Sequence, residues 1–453
     1  MRLGSICLSI TRIGQTASAF SPVSLFAAGE VGAWFDPSDL STMFQDAAGT
    51  IPVTSVGQPV GKILDKSGCG NHATQTSAAA RPVLQQDSLG IYRLYCDGTK
   101  TLATANINLS AYDKLSVWVG SSISAVTGNK GLFTAGASAV NPSAYNYIIA
   151  NRLTSKLVGS TATSEYASSL KLRANRANIN YFLYDFGGSS PSECIKIKHN
   201  GTNAIKTSGP TNVAGSSNFG TNKITLGSGI GLNQVGAIYE TIFRFSKATP
   251  TQEEVTSANK YLATKLGRKM LCVIGDSIVA DYLTYYETAS NIEAFSPATL
   301  AVPNHNIAQQ KAVWQAVPDS DKSAFSAVII QVGINNLNPA ATVAEIISGL
   351  QDLVSTVKAT NEVWLSQITP ARQRFITIYG ATDGAVVYQK WLDVNAAIEG
   401  GGSTPITGAD RIITSHVALM NDGSGNLAAA YDTGDGIHPN EGGRAVNANA
   451  WLP

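Results

Sequence analysis

The feature that most constrains the fold is a change of pattern at residues 249–269. Before it, short runs of aromatic and β-branched residues alternate with clusters of glycine, serine and asparagine. After it, apolar runs of strand length alternate with segments of helical periodicity. The first pattern is typical of an all-β sandwich, and the second of a parallel sheet with helices on both faces. The sequence therefore predicts two domains, a jelly-roll sandwich at 29–248 and an α/β domain at 270–453. An N-terminal attachment segment at 1–28 precedes the first domain, and a linker helix at 249–269 joins the two.

The predicted strands of the first domain are short. They are rich in aromatic and β-branched residues and lie at 115–119, 145–150, 181–186, 223–226 and 238–245. A further strand at 195–199 runs into Asn200-Gly201. Asn-Gly is a strong hairpin signal, because both central residues of a type I′ turn need positive φ. Many short strands joined by polar turns indicate a sandwich or jelly roll.

A capping box and an apolar face predict the linker helix. Thr251 and Glu254 have the spacing of a capping box, and apolar residues at 255, 258, 262 and 266 share one face. A second capping box, Thr342 with Glu345, opens a helix in the α/β domain. The other predicted elements of this domain are strands at 270–275, 327–332 and 362–368, a helix at 343–357 and a helix at 383–398.

Four polar residues of the α/β domain occur in an order that can build a hydrolytic site. Ser277 comes two residues after the first strand, Asn335 follows the second, and Asp435 and His438 lie near the C-terminus. In doubly wound sheets, reactive groups lie outside the carboxyl ends of the strands. A serine hydroxyl needs a base, here His438, and the base needs an orienting group, here Asp435. The Asn335 amide can donate to an oxyanion.

Each of these residues also has a structural interpretation. Gly-Asp-Ser and Asp-Gly are common turn sequences, and a turn or cap is the role expected for Asn336. The other histidines are alternative bases. His416 lies in an apolar run and is expected in the core, and His305 is expected either near substrate or in a loop. His72 and His199 are expected in loop and turn positions.

The same blocks resemble the SGNH hydrolase family, also called GDSL-type esterases. The resemblance rests on Gly275-Asp276-Ser277-Ile278, on Gly333-Ile334-Asn335-Asn336, and on Asp435 with His438, and it covers residues 268–453. It implies a three-layer, flavodoxin-like α/β fold with a parallel sheet. It also implies a carboxylic ester hydrolase that needs no cofactor and no metal, with Ser277 as nucleophile and His438 and Asp435 completing the triad.

The resemblance further implies three donors for the oxyanion. These are the backbone N–H of Ser277, the side-chain amide of Asn335 and the backbone N–H of Ala308. The family has glycine where this chain has Ala308, within Asn306-Ile307-Ala308, and aspartate where it has Asn336. Alanine can still supply the donor at 308, because that donor is not a side chain.

Two stretches of the first domain resemble the opening of concanavalin A-like (laminin-G-like) jelly rolls. They are 33–39, which begins Ala-Trp-Phe-Asp, and 65–73, which begins Asp-Lys-Ser-Gly. The wider stretch 20–73 is similar to the start of bacteriophage and prophage proteins, commonly in tail or tail-fibre positions. This implies a virion location and an attachment role for residues 1–28. The alternative is a secretory signal ending at Ala17-Ser18-Ala19.

Composition excludes several classes of function. With a formal charge of +1 and no basic cluster, the chain has no electrostatic footprint for nucleic acid. No apolar run approaches the length of a membrane span. The cysteines lack the spacing of a disulfide framework or a zinc site and lie at Cys7, Cys69, Cys96, Cys194 and Cys272. This usage indicates folding in a reducing cytoplasm.

Together with these patterns, the two resemblances imply a virion-associated serine esterase that removes O-acetyl groups from a bacterial surface polysaccharide. The expected partners are an acetylated glycan or small ester and other tail proteins, and a homo-oligomer is compatible with the sequence. One alternative is an adhesive tail protein with a catalytically silent α/β domain, which the substitutions at Ala308 and Asn336 would favour. Another is a secreted lipase or esterase.

Overall fold

A computed structural model describes residues 20–451 except 125–129, 137–141, 150–151, 160–161, 172–176, 205, 209–211, 230–231 and 281–294. Two large antiparallel sheets occupy the N-terminal half, and a five-stranded parallel sheet follows. The chain is therefore rich in β structure, as the sequence predicts. Among the described residues, no helix is long and apolar enough to cross a membrane.

The first antiparallel sheet has eight strands. In spatial order they are Thr202–Asn203, Ile195–His199, Asn178–Asp185, Lys114–Ile123, Val235–Ser246, Tyr92–Asp97 and Val83–Gln86, with Val31–Phe35 also paired to Val235–Ser246. The predicted hairpin is confirmed, because His199 pairs with Thr202 across Asn200 and Gly201, whose φ angles are 48° and 84°.

The second antiparallel sheet has ten strands. In spatial order they are Lys206–Ser208, Thr163–Lys171, Arg152–Val158, Ser143–Ile149, Lys130–Gly136, Ile224–Leu226, Leu102–Thr104, Ala73–Thr74, Lys62–Ile63 and Met43–Phe44. Two-stranded ribbons pair Ile107–Asn108 with Thr221–Asn222 and Ser228–Gly229 with Leu232–Asn233. Short helical turns complete this half at Pro22–Phe26, Leu40–Thr42, Ala78–Ala80 and Pro191–Cys194.

The two antiparallel sheets share one apolar core. Phe133 of the second sheet lies with its ring centroid 5.4 Å from those of Phe182 and Phe243 in the first, at steep interplanar angles. All three rings are almost completely buried. Edge-to-face contacts of this kind between inward-pointing aromatic rings are characteristic of sheets packed face to face.

All neighbouring strands of the third sheet are parallel. Their spatial order is Phe295–Thr299, Lys269–Gly275, Ala327–Gln331, Glu362–Ser366 and Arg411–Ile413, which is 2-1-3-4-5 when the five are counted along the chain. The associated helices are Ile307–Ala316, Asp319–Lys322, Ile334–Asn336 (a 3-10 turn), Val343–Lys358, Arg372–Ile398, Ser415–Met420 and Glu441–Trp451.

The helix predicted at 383–398 is present. The helical stretch Arg372–Ile398 is divided at Gly380, whose φ of 81° and ψ of 171° are non-helical, so a shorter helix that was not predicted precedes it. The run of β-branched residues and the glycine before 383 obscure this shorter helix in the sequence. The strand predicted at 362–368 is shorter and ends at Ser366.

The linker helix is Gln252–Lys265, and its predicted capping box between Thr251 and Glu254 is present. Leu262 and Leu266 are fully or almost fully buried. The helix packs on the outer face of the first antiparallel sheet, where the methyl groups of Leu266 come so close to Gly120 that a Cβ there would lie 3.0 Å from them. The same apolar cluster continues into the parallel sheet, so this helix is buried between the two halves of the chain.

The two stretches that resemble a jelly-roll opening meet in space. The Asp65 carboxylate accepts the backbone N–H groups of Trp34 and Ser67, both at 2.8 Å. The Asp36 carboxylate lies 2.9 Å from the Lys66 ammonium and 3.1 Å from that of Lys265 in the linker helix. These residues therefore tie the first antiparallel sheet to the linker helix.

The described part of the predicted attachment segment is packed against the core. Leu25 is fully buried, and its carbonyl accepts a hydrogen bond of 2.8 Å from Arg244 Nε. Arg244 also forms an ion pair of 2.6 Å with Glu30. Residues 1–19, including the possible cleavage site, lie outside the described residues, so their attachment role stays a prediction.

Candidate active site

Ser277 lies in the turn that follows the strand Lys269–Gly275. A Cβ on Gly275 would lie 2.6 Å from the carbonyl oxygen of Gln331 and 2.0 Å from a methyl group of Val279, so only glycine fits there. The neighbouring Asp276 is buried, whereas Ser277 remains partly exposed. The close packing of the turn therefore presents the serine hydroxyl at the end of the strand.

Asp435 and His438 lie in the loop before the helix Glu441–Trp451. The Asp435 Oδ1 atom accepts the backbone N–H groups of Ile437 at 3.0 Å and His438 at 2.9 Å. Its Oδ2 atom lies 2.5 Å from His438 Nδ1. Asp432 also stabilises this loop, because its carboxylate accepts the N–H of Gly436 at 3.1 Å.

These residues form a continuous hydrogen-bonded chain from Asp435 to Ser277. His438 Nε2 lies 3.0 Å from Ser277 Oγ, although the two residues are 161 positions apart. An ionised carboxylate can only accept hydrogen bonds, so Asp435 selects the imidazole tautomer with the proton on Nδ1. His438 Nε2 is then free to accept the proton of the Ser277 hydroxyl, which is the arrangement of a nucleophile with its general base.

The Asp435 carboxyl group is held in its charged form. Partial burial acts to raise its pKa, but hydrogen bonds from the His438 backbone, the His438 imidazole and the Ile437 N–H outweigh burial and lower it to about 2. Asp435 therefore remains an acceptor for the imidazole proton across the neutral and mildly acidic range.

The site lies where the strand order of the parallel sheet reverses. Ser277 follows the first strand of this sheet along the chain, and Asn335 follows the third, which is its neighbour in space. The second strand lies on the other side of the first. In open α/β sheets, the crevice at such a switch point is the usual ligand site.

Asn335 and Ala308 lie on two segments that contact each other. The Asn335 side-chain amide donates to the His305 carbonyl at 2.9 Å, and the Asn336 side-chain oxygen accepts the N–H of Ile307 at 3.0 Å. Asn336 thus has the capping role expected for it, on the helix Ile307–Ala316. Asn335 keeps its second amide hydrogen for another acceptor.

The first turn of the helix Ile307–Ala316 leaves one N–H available. Ile307 donates to Asn336, and Gln309 donates to the Asn306 side chain at 2.9 Å. Ala308, between them, has no hydrogen-bond acceptor for its N–H among the described residues, and the same holds for the N–H of Ser277. The three candidate oxyanion donors are therefore a side-chain amide and two backbone groups without a protein acceptor.

Asp276 is a site residue that the sequence interpretation did not single out. Its Oδ1 atom accepts the N–H of Ile278 at 3.0 Å, and its Oδ2 atom accepts the N–H of Gly333 at 3.3 Å. Burial raises its pKa to about 6, and the two backbone hydrogen bonds only partly oppose this. Asp276 thus joins the turn that carries Ser277 to the loop that carries Asn335.

The other histidines have structural surroundings. His416 is fully buried, as expected, with Nε2 3.1 Å from the Gln367 carbonyl oxygen, and burial lowers its pKa to about 4. His305 lies next to the site, because its backbone carbonyl accepts the hydrogen bond from the Asn335 side-chain amide. His72 is in a loop, where its Nδ1 accepts the N–H of Asp65 at 3.0 Å. His199 has the hairpin position expected for it, because it ends a strand and pairs with Thr202 across the Asn200-Gly201 turn; its ring is buried beside Asn180.

No cluster of histidine, cysteine, aspartate and glutamate side chains suited to a metal ion occurs within the described ranges. The four cysteines that lie there, Cys69, Cys96, Cys194 and Cys272, are free thiols.

No protein-family model and no curated protein matches the chain. Among solved structures, a GDSL-like lipase from Bacteroides thetaiotaomicron is 14% identical with a TM-score of 0.31, covering 43% of this chain and 93% of that one. A mutant acetyl-xylooligosaccharide esterase from Geobacillus Stearmophilus is 16% identical with a TM-score of 0.30, and the match covers 40% of this chain and 90% of that one. The botulinum neurotoxin serotype D ligand-binding domain, in complex with N-acetylneuraminic acid, is 12% identical with a TM-score of 0.36, and the match covers 54% of this chain and 53% of that one.

Proposed function

We propose that the chain is a serine carboxylic ester hydrolase. The observation that carries the proposal is the hydrogen-bonded chain Asp435–His438–Ser277, with 2.5 Å and 3.0 Å between the joined atoms. In the proposed reaction, Ser277 Oγ attacks the ester carbonyl while His438 Nε2 takes the hydroxyl proton. The protonated imidazole then gives this proton to the leaving alcohol, and a water molecule repeats the sequence to release the acid.

The tetrahedral intermediate needs donors around its oxygen, and we propose three residues for this role. The N–H groups of Ser277 and Ala308 have no acceptor within the described part of the chain, and the Asn335 amide has a spare hydrogen. Donors fixed in place before the reaction stabilise the developing charge without reorganisation, and each is worth about 10²–10³ in rate.

For the substrate, we propose O-acetyl groups on a bacterial surface polysaccharide. The side chains of Asp435 and His438 are each 37% exposed, which suits an ester that approaches on a polymer from solvent. The resemblance of residues 20–73 to phage tail proteins supports a virion location. In this proposal the chain has two domains, a jelly roll that positions the protein on glycan and a flavodoxin-like hydrolase domain.

Hydrolysis of p-nitrophenyl acetate and p-nitrophenyl octanoate by wild type and Ser277→Ala tests the proposal. We expect turnover of the acetate ester that falls by several orders of magnitude in the variant. Release of acetate from acetylated bacterial polysaccharide tests the substrate class. Serine-dependent turnover of the octanoate ester alone would contradict the acetyl assignment, and no turnover of any ester above the variant would contradict the esterase.

A further inference from the structure

Arg374 lies directly against the catalytic loop. It belongs to the first turn of the helix Arg372–Ile398, and this helix begins with a 3.0 Å hydrogen bond from the Arg372 N–H to the Gly425 carbonyl. A Cβ built on Gly436 would lie 3.5 Å from the backbone nitrogen of Arg374 and 3.6 Å from its Cβ. Gly436 lies in the loop between Asp435 and His438, so the first turn of this helix packs against the loop that carries the proposed acid–base pair.

The guanidinium group of Arg374 has no acceptor among the described residues. Its Nε atom is shielded from solvent and makes no hydrogen bond, and no ion pair joins its side chain to a described carboxylate. By contrast, Arg444, in the helix that follows the same loop, donates from Nε to the Pro439 carbonyl at 2.8 Å. A buried donor that is left unsatisfied destabilises the fold, so such groups usually have a partner.

Two acidic side chains of the loop already have donors. Asp435 accepts two backbone N–H groups and the imidazole, and Asp432 accepts the N–H groups of Gly434 at 2.9 Å and Gly436. Arg374 therefore carries a positive charge that no described carboxylate pairs, on the helix turn that packs against the catalytic loop. A guanidinium of this kind matches a carboxylate through two parallel hydrogen bonds.

We propose that Arg374 binds a carboxylate group of the substrate, so that the enzyme prefers acetyl esters on acidic glycans to those on neutral ones. The inference rests on the proposed esterase activity and narrows its substrate class. An acetyl group carries no charge, so the carboxylate belongs to the glycan that leaves as the alcohol. Arg374 thereby acts as a specificity residue, and the carboxylate oxygens of the substrate accept hydrogen bonds from its terminal N–H groups.

The test compares acetate release from two chemically acetylated polymers, polygalacturonate and xylan, at equal degrees of acetylation. We expect wild type to favour the acidic polymer and to lose this preference as salt is added, because the attraction is screened. Arg374→Gln should lower kcat/KM for the acidic polymer about 10- to 100-fold, mainly through KM, and affect the neutral polymer much less. Arg374→Lys, which keeps the charge without the planar fork, should lie between the two.

Arg81→Gln is the matched control, because the Arg81 side chain donates to the carbonyl groups of Gln75 and Thr76 in the N-terminal half and, among the described residues, to no other acceptor. It should leave both polymers unaffected. Equal losses on both polymers after Arg374→Gln, or no loss on either, would overturn the specificity role. Continued turnover of p-nitrophenyl acetate would show that the proposed esterase activity still holds.

Binding gives a readout that does not depend on turnover. Calorimetric titration of Ser277→Ala with acetylated galacturonate oligomers should show an affinity about tenfold higher than the same titration of Ser277→Ala/Arg374→Gln. Equal affinities would overturn the proposal even if no ester is hydrolysed. If wild type does not hydrolyse p-nitrophenyl acetate but the difference in affinity is present, the proposed catalysis is contradicted and the binding role of Arg374 stands.

Discussion

The tautomer of His438 is the most sensitive point of the proposed mechanism, and Asp435→Asn changes it with minimal change in shape. Oδ1 of Asp435 accepts two backbone N–H groups, from Ile437 and His438, at 3.0 and 2.9 Å. These donors require an oxygen, so the asparagine amide nitrogen must take the place of Oδ2, 2.5 Å from His438 Nδ1. Two N–H groups cannot face each other, and the imidazole therefore moves its proton to Nε2.

An Nε2 atom that carries a proton cannot accept the proton of Ser277 across the 3.0 Å contact. The geometry survives while the general base is lost. A change of this kind in a serine–histidine–aspartate triad lowers kcat about 10⁴-fold, which corresponds to about 5 kcal/mol in the barrier. We expect a loss of this size in initial rates of p-nitrophenyl acetate hydrolysis at neutral pH, with KM changed by less.

Asp432→Asn is the matched control. Asp432 lies in the same loop and accepts the N–H groups of Gly434 and Gly436, but it does not contact the imidazole. Its replacement should change the barrier by no more than about 0.5 kcal/mol. If folded Asp435→Asn keeps more than a tenth of wild-type kcat/KM, the tautomer argument is wrong. Because the triad acts as a unit, Ser277→Ala/Asp435→Asn should be about as slow as Ser277→Ala alone.

Three further substitutions and one control substitution test other parts of the structure. Asn335→Ala should lower kcat for p-nitrophenyl acetate about 10²–10³-fold with little change in KM, and an unchanged kcat would remove it from the oxyanion site. Leu262→Ala should destabilise the fold by about 2–5 kcal/mol in urea unfolding, because Leu262 is fully buried in the linker helix. The same truncation at Leu419, which is 61% exposed, should cost no more than about 0.5 kcal/mol. As the pH rises from about 4 to 6, the free energy of unfolding of Asp276→Asn should increase by about 3 kcal/mol relative to that of wild type, measured by urea unfolding. A difference that does not change with pH would contradict the raised pKa of Asp276.

The sign of the Asp276 effect follows from the direction of its pKa shift. Burial raises the folded-state pKa to about 6, from 3.8. Folding therefore favours the protonated carboxyl, and stability is lost as the pH rises from the unfolded pKa through the folded one. Asparagine stays neutral, so it avoids this loss.

Local signals in the sequence are sufficient for several elements of the fold. Asn200-Gly201 forms the predicted turn because positive φ is a property of these two residues and their immediate neighbours. The capping boxes at Thr251 and Thr342 are equally local, since both partners lie within one helical turn. The order of serine, asparagine, aspartate and histidine predicted a site, and the structure brings these residues to the same edge of the parallel sheet.

Long-range contacts explain what the sequence could not supply. The hydrogen bond from the Gly333 N–H to the Asp276 carboxylate joins residues 57 positions apart, and no pattern of apolar residues in the sequence predicts it. The unpaired state of Arg374 likewise depends on which carboxylates already have donors, which only the folded chain determines. His199 is buried because Asn180 on the neighbouring strand covers its ring nitrogen, although an Asn-Gly turn follows it in sequence.

The two departures from the hydrolase pattern, Ala308 and Asn336, are compatible with an active site. A helix leaves the N–H groups of its first turn without intrahelical partners. In the helix Ile307–Ala316, Asn336 accepts the N–H of Ile307 and Asn306 accepts that of Gln309, so one free donor remains at Ala308. The asparagine carbonyl thus makes the bond that a carboxylate would make. Asn336→Asp should keep kcat for p-nitrophenyl acetate within a few-fold, whereas Asn336→Leu removes the acceptor and should lower it at least about tenfold. Equal activity of the two variants would show that this bond does not position the helix.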